Sequence, residues 1–223
     1  MKTIVVVAGM ILFTFLPLTA SATGLTSANA ATIFTSCQTI ANATSSALRG
    51  SGKTTKMWCA VVEREGQLLL IESTDTNGTP SAPANSDAWR GSIEIAIAKA
   101  YTGLAFSSND QALDSRTVGL LTRMDGAGKP GTPFVGTDAG TAPLFGLGAT
   151  NPFRGTSFGA AQGGDDAVNN FHHGIVTFAG GQPVYDCSTH LLVGAVGVSG
   201  DGVDQDDAVA KGAVTGGGFC LTP

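Results

Sequence analysis

The amino-acid sequence predicts an α+β domain in which two groups of antiparallel strands are separated and followed by amphipathic helices. Two apolar runs, residues 57–63 and 67–72, come before the longest amphipathic stretch in the chain. Three runs of strand length and β-branched composition come after it, at residues 174–179, 184–187 and 191–199. The breaks within each group have hairpin length, so we expect antiparallel pairing within both groups.

A first helix is predicted over residues 32–48, where apolar residues recur at helical spacing. The following Gly50 and Gly52 are typical of a helix end. Residues 21–31 are small and polar, and we expect them to form a flexible start to the mature chain.

The main helix is predicted from a cap at Ser86 or Asp87 to about Phe106. One face of this stretch carries apolar residues at helical spacing, namely Trp89, Ile93, Ile97, Ala100, Tyr101 and Leu104. We expect this face to pack against the sheet. A shorter helix is predicted over residues 113–124.

The last helix is predicted over residues 203–214, after a turn at residues 200–202. Three carboxylates, Asp204, Asp206 and Asp207, fall in its first turn, where the helix dipole favours negative charge. Because the run lacks the spacing of a calcium-binding loop, we interpret these residues as helix-end acids.

Residues 125–171 show no helix or strand pattern and are rich in Gly and Pro, with 11 Gly and 4 Pro in 47 positions. A long segment of this kind within a compact domain is unusual unless it covers or lines a site. The alternative is a surface loop that packs in an oligomer interface.

The amino terminus has the three parts of a secretory signal peptide: Lys2, an apolar run at residues 4–16, and an Ala20-Ser21-Ala22 cleavage site. The apolar run is short for a membrane span, so an uncleaved anchor is the weaker alternative. We therefore expect a signal peptide at 1–22 and a single secreted or periplasmic domain at 23–223.

The composition argues against several classes of function. A formal net charge of −5 with only 13% charged residues leaves no basic stripe for a nucleic-acid backbone. Motifs for nucleotide binding, serine hydrolysis and zinc proteolysis do not occur in the sequence. The residues themselves therefore provide no positive case for catalysis.

Four cysteines in an exported chain favour disulfides over metal binding. Cys187 ends a predicted strand, and Cys220 follows a helix that should run back along the next strand. This geometry favours a Cys187–Cys220 bond, which leaves Cys37–Cys59 by elimination.

Two adjacent histidines, His172 and His173, stand directly before the first strand of the second group. Neighbouring residues of an extended chain point in opposite directions, so one imidazole could ligate a haem iron while the other faces away. The alternative is that both hydrogen-bond loop carbonyls at the strand entrance. Arg154 lies in an apolar neighbourhood and could pair with a haem propionate or anchor the loop to backbone oxygens. The third histidine, His190, is expected to be a solvated turn residue.

Four segments, residues 59–72, 96–106, 174–185 and 191–213, resemble the GlcG/HbpS family of haem-binding-type domains, which is also found as the C-terminal part of PduO-like proteins. Together they cover most of residues 57–213 in the family's order. The most specific part is the series GGQPVY, LVGAVGVSG and DDAVAKGA. The resemblance implies a five-stranded antiparallel sheet with packed helices, profilin- or PAS-like in outline.

The resemblance also implies haem or corrinoid binding, often by oligomers, and haem sensing or iron-related stress for exported members. We therefore expect an exported haem-binding homo-oligomer, with corrinoid as the alternative cofactor. A cofactor-free structural or interaction domain is a second interpretation, and an enzyme is the third. Lys99, Tyr101 and Phe106 match the family's helix motif, whereas His172, His173 and Arg154 are candidates from chemistry and position alone.

Overall fold

The computed structural model describes residues 23–75, 86–123 and 175–223. This part of the chain forms four helices and four strands, which confirms the α+β class. In chain order they are α1 (Ser27–Ala43), β1 (Trp58–Glu63), β2 (Leu68–Ser73), α2 (Ser92–Ala105), α3 (Ser115–Arg123), β3 (Gly181–Tyr185), β4 (Leu192–Ser199) and α4 (Val203–Gly216). No helix among the described residues is long and apolar enough to cross a membrane.

The four strands form one antiparallel sheet in the order β2-β1-β4-β3. Strand β1 alternates between two cores, as the period of two in a strand requires. Cys59 and Val61 pack with α1 and α4 on one face, whereas Ala60 and Val62 pack with α2 on the other. Helices therefore cover both faces of the central strands.

Helix α2 packs directly on the backbone of β3 and β4. A Cβ atom at Gly197 would lie 1.9 Å from the Ala96 carbonyl oxygen, and one at Gly181 would lie 2.2 Å from the Lys99 carbonyl oxygen. Gly181 and Gly197 are also register partners in the sheet. Because neither position leaves room for a side chain, the two glycines together allow the close approach of α2.

The predicted strand at 174–179 is not confirmed, so the described sheet has four strands and not five. Residues 175–179 lie beside α2 and α3, where side chains bind their backbone. The Val176 N–H donates to Thr102 Oγ1 (3.0 Å), and the Phe178 carbonyl accepts from Ser115 Oγ (2.8 Å). The strand predicted at 184–187 is shifted, because β3 begins at Gly181 and ends at Tyr185.

Two helix boundaries differ from the predictions, and a local cap explains the first. Helix α1 begins at Ser27, since Thr26 and Asn29 form a capping box with bonds of 2.9 and 3.2 Å. The expected flexible start therefore includes the first turns of a helix. Helix α2 begins only at Ser92, which leaves Trp89 outside the helix and 51% exposed.

The four cysteines do not form two disulfides in the structure. Cys187 and Cys220 are bonded, as predicted, with their Cα atoms 5.2 Å apart. Cys37 and Cys59 are free thiols, so the second predicted bond is wrong. Both thiols are buried between α1 and β1, and burial together with a hydrogen bond to Cys59 raises the pKa of Cys37. This disfavours the thiolate that disulfide formation requires.

Candidate functional site

A fully buried lysine joins four segments of the described chain. Lys99 lies on α2, and its Nζ donates to Asp206 Oδ2 of α4 at 2.6 Å and to the Val198 carbonyl of β4 at 2.9 Å. The ring of Phe178, between α3 and β3, lies 4.9 Å from the same nitrogen, within the range of a cation–π contact. One ammonium group therefore holds α2, α4, β4 and the segment before β3 together.

Burial dominates the electrostatics of this pair. It lowers the pKa of Lys99, although the neighbouring Asp206 carboxylate acts in the opposite direction. It also raises the pKa of Asp206 to about 6, and here Lys99 opposes the shift. The Asp201 N–H donates to Asp206 Oδ1 at 3.1 Å, so both carboxylate oxygens have donors. Since the pair is closed to solvent, we interpret it as a structural joint between elements.

Asp207 organises a second set of polar contacts beside this joint. Its Oδ1 accepts from Gln182 Nε2 of β3 at 2.8 Å, and its Oδ2 lies 2.9 Å from Lys211 Nζ. Arg116 of α3 brings Nε to within 3.4 Å of the same Oδ2 and donates from Nη2 to Asp204 at 2.6 Å. The acids that the sequence assigned to the helix end therefore also bind side chains from three other elements.

A cavity of about 250 Å³ opens next to this polar cluster. Its wall comes from the start of α3, strand β3, helix α4 and the C-terminal tail, through Ala112, Asp114, Thr117, Gln182, Pro183, Lys211, Leu221 and Thr222. The tail is held in place by the Cys187–Cys220 disulfide and by two backbone bonds of 2.9 Å between Tyr185 and Cys220. The tail therefore forms a fixed wall of the cavity.

The three site residues predicted from the sequence, Arg154, His172 and His173, lie outside the described residues. The chain is described again from Ile175, which is buried. His190 is in the turn between β3 and β4, as expected. It is exposed, has a φ of 60°, and its N–H donates to the Asp186 carbonyl at 2.8 Å.

Tyrosine can also ligate haem iron, but the hydroxyl groups of Tyr101 and Tyr185 already donate hydrogen bonds. The Tyr101 hydroxyl donates to the Gly66 carbonyl at 2.7 Å, and the Tyr185 hydroxyl donates to the Ser108 carbonyl at 2.8 Å. Burial raises the pKa of both tyrosines, which disfavours the phenolate that would bind iron. Within residues 23–75, 86–123 and 175–223 there is also no group of three metal-ligating side chains.

The sequence signalled part of the polar cluster but not its geometry. A lysine within the apolar stretch IAIAKAYTG is unusual, and it indicates a buried partner of opposite charge. The partner is 107 residues further along the chain. Nothing in the local pattern of residues 203–214 distinguishes Asp206 from its exposed neighbour Asp204.

The arrangement is that of a single-sheet α+β domain with helices on both faces, and solved structures share it. The crystal structure of Klebsiella pneumoniae protein ORFY is 19% identical with a TM-score of 0.51, covering 92% of this chain and 98% of that one. The crystal structure of a PduOC:heme complex is 17% identical with a TM-score of 0.52, covering 90% and 99%. These likenesses show the fold.

The family follows from the sequence. The model described as "Haem degrading protein HbpS-like" matches residues 34–215, so the chain belongs to the HbpS-like family. This confirms the resemblance that residues 57–213 suggested. No curated protein matches the chain.

Proposed function

We propose that this protein binds haem. The observation that carries the proposal is membership of the HbpS-like family across residues 34–215. A relative of the same fold, PduOC, has been crystallised as a haem complex, which supports the proposal. Bound haem would supply an iron centre, and the role of this chain would be to hold, orient and shield it.

We assign the iron contact to His172 or His173 and a propionate contact to Arg154. His173 is two residues before Ile175, so chain continuity keeps their Cα atoms within about 7 Å. The chain just after the histidines is anchored, because Ile175 and Val176 are buried and the Val176 N–H donates to Thr102 of α2. An anchored neighbour reduces the conformational entropy that a ligating imidazole loses on binding.

The cavity beside α3 and α4 does not suit haem. The cavity beside Asp114 and Lys211 measures about 250 Å³, and pockets for drug-sized ligands begin at about 300 Å³. It also lacks an imidazole, thiolate or thioether in its wall. We therefore do not assign haem to this cavity, and the haem proposal depends on His172 and His173.

A haemin titration tests the proposal. We expect a saturable shift of the Soret band with the wild type, and an altered spectrum with the His172→Ala/His173→Ala double variant because an axial ligand is lost. The exposed His190→Ala variant is the matched control and should behave as the wild type. The ligand assignment is wrong if the double variant gives the wild-type spectrum. Absence of a saturable shift in the wild type would remove the haem proposal itself.

We also propose that the protein acts outside the cytoplasm, after loss of residues 1–22. The Cys187–Cys220 disulfide supports this part of the proposal, because such bonds persist in oxidising compartments. A protein isolated from its host with residues 1–22 still attached would contradict it.

A further inference from the structure

We propose that the cavity between α3, β3, α4 and the C-terminal tail binds a small amphoteric molecule. The ligand that we propose carries an ammonium group and a carboxylate close together, and it also has a short aliphatic side chain. This inference does not rest on the proposed haem function. The cavity wall given above, from residues 112, 114, 117, 182, 183, 211, 221 and 222, lies within the described part of the chain.

Opposite charges stand on two sides of the cavity. Asp114 lies at the start of α3 and Lys211 lies on α4. Gln182 and Asp207 connect them through contacts of 3.4, 2.8 and 2.9 Å, in the order Asp114, Gln182, Asp207 and Lys211. The Gln182 amide and the Asp207 carboxylate therefore stand between the two charges, and Lys211 is paired with Asp207 and not with Asp114.

Both charged groups retain hydrogen-bonding capacity. Asp114 accepts a bond of 2.6 Å from the Thr117 N–H, but its contact with Gln182 is 3.4 Å, which is longer than a normal bond. No cation of the described ranges lies within 4.0 Å of Asp114. The Lys211 ammonium has three N–H donors, and Asp207 accepts from one. A ligand ammonium group can bind Asp114 while the ligand carboxylate binds Lys211.

The remaining wall sets the size and character of the ligand. Ala112, Pro183 and Leu221 supply apolar surface for an aliphatic side chain. A volume of about 250 Å³ corresponds to about eight water molecules at about 30 Å³ each. A small branched aliphatic amino acid such as L-valine fits within this volume, and its isopropyl group can contact the apolar wall.

Three probes separate the contributions of the two charges. L-Valine carries both groups, 3-methylbutanoate lacks the ammonium, and 2-methylpropan-1-amine lacks the carboxylate. We expect L-valine to produce saturable shifts of the Thr117, Gln182 and Thr222 amide signals in an NMR titration of the full protein. Each analogue should bind at least about tenfold more weakly, because one charged contact is lost.

Two variants assign the charges to residues. Lys211→Met keeps an aliphatic stem and should remove the difference between L-valine and the amine. Asp114→Asn keeps an oxygen for the Thr117 N–H and should remove the difference between L-valine and 3-methylbutanoate. Lys53→Met, in an exposed turn away from the cavity, is the matched control and should bind as the wild type.

The proposal is overturned if the wild type shows no saturable shift with L-valine, or if either analogue binds as well as L-valine. Equal weakening by Lys53→Met would overturn the residue assignment. If a cavity variant does not fold, the series of three probes on the wild type still decides the question. Failure of haem binding in the same protein would not change these expectations.

Discussion

At the scale of single residues, the Lys99–Asp206 pair determines how three elements meet. Removal of one partner would leave a buried charge without compensation, which typically costs about 3–5 kcal/mol. The Lys56–Asp87 pair is different, because its side chains are 32% and 72% exposed. An exposed pair of this kind contributes at most about 1 kcal/mol. The two ion pairs therefore differ strongly in their expected effect on the free energy of unfolding.

Asp206 should titrate near pH 6, because burial raises its pKa. Its contribution to the free energy of unfolding is fully present below pH 3.8 and is lost as the pH rises through about 6. Carboxyl carbon-13 NMR shifts, recorded against pH, measure the midpoint directly. A midpoint at or below 4 would show that Lys99 outweighs burial.

Asp186 provides an internal comparison in the same titration. Its carboxylate accepts bonds from the Ser188 hydroxyl and from the Ser188 and Thr189 N–H groups, which lower its pKa to about 2. The pH dependence of its contribution to stability is opposite to that of Asp206. The stabilisation by Asp186 is present above pH 3.8 and is lost as the pH falls through about 2.

At the scale of elements, the outer edge of β3 is protected against pairing with another strand. The Gly181 N–H donates to Ser115 Oγ at 2.8 Å, Pro183 has no N–H, and Tyr185 is paired with Cys220. The opposite edge strand, β2, presents half-buried apolar side chains, Leu68 to Ile71, without such cover in the described part. This difference makes β2 the edge through which we would expect two copies to associate.

The Cys187–Cys220 bond should stabilise the domain and hold the tail on β3. It closes a loop with a sequence separation of 33, for which the loss of chain entropy in the unfolded state is worth about 3–4 kcal/mol. We expect Cys187→Ser/Cys220→Ser to lower the free energy of unfolding by about this amount in denaturant titrations. Reducing agent should shift the midpoint of the wild type and not that of the double variant. A shift in the double variant would assign the effect to Cys37 and Cys59.

At the scale of the whole molecule, the central strands separate two apolar cores, one under α1 and α4 and one under α2. The family membership and the shared fold both concern this assembly. Export, haem binding and self-association remain our proposals for it. All three are properties of the intact protein and can be measured together.

Native mass spectrometry of the protein from its own host tests these three proposals at once. We expect a subunit mass that lacks residues 1–22, a bound mass equal to haem, and more than one subunit. A bare monomer would contradict both haem binding and self-association. A cofactor-free oligomer would favour the alternative of a structural or interaction domain.

Several features were predictable because they depend on neighbouring residues. The hairpin of β1 and β2 and the extent of β4 agree with the predictions to within about two residues, since apolar strand runs and short breaks are local signals. The failures also have local causes. The capping box at Thr26 was overlooked, and the run at 175–179 has strand composition but binds side chains of α2 and α3.

The sequence by itself determined the α+β class, the family, the order of most elements and the cysteine pair that is bonded. Only the tertiary structure decided that Lys99 is paired with Asp206, that Cys37 and Cys59 remain thiols, and that Asp114 and Lys211 share a cavity. Strand and helix patterns repeat over a few residues and can be read from neighbours. Contacts between side chains about 100 residues apart depend on how α2 packs against the glycines of β3 and β4. No local sequence pattern encodes this packing.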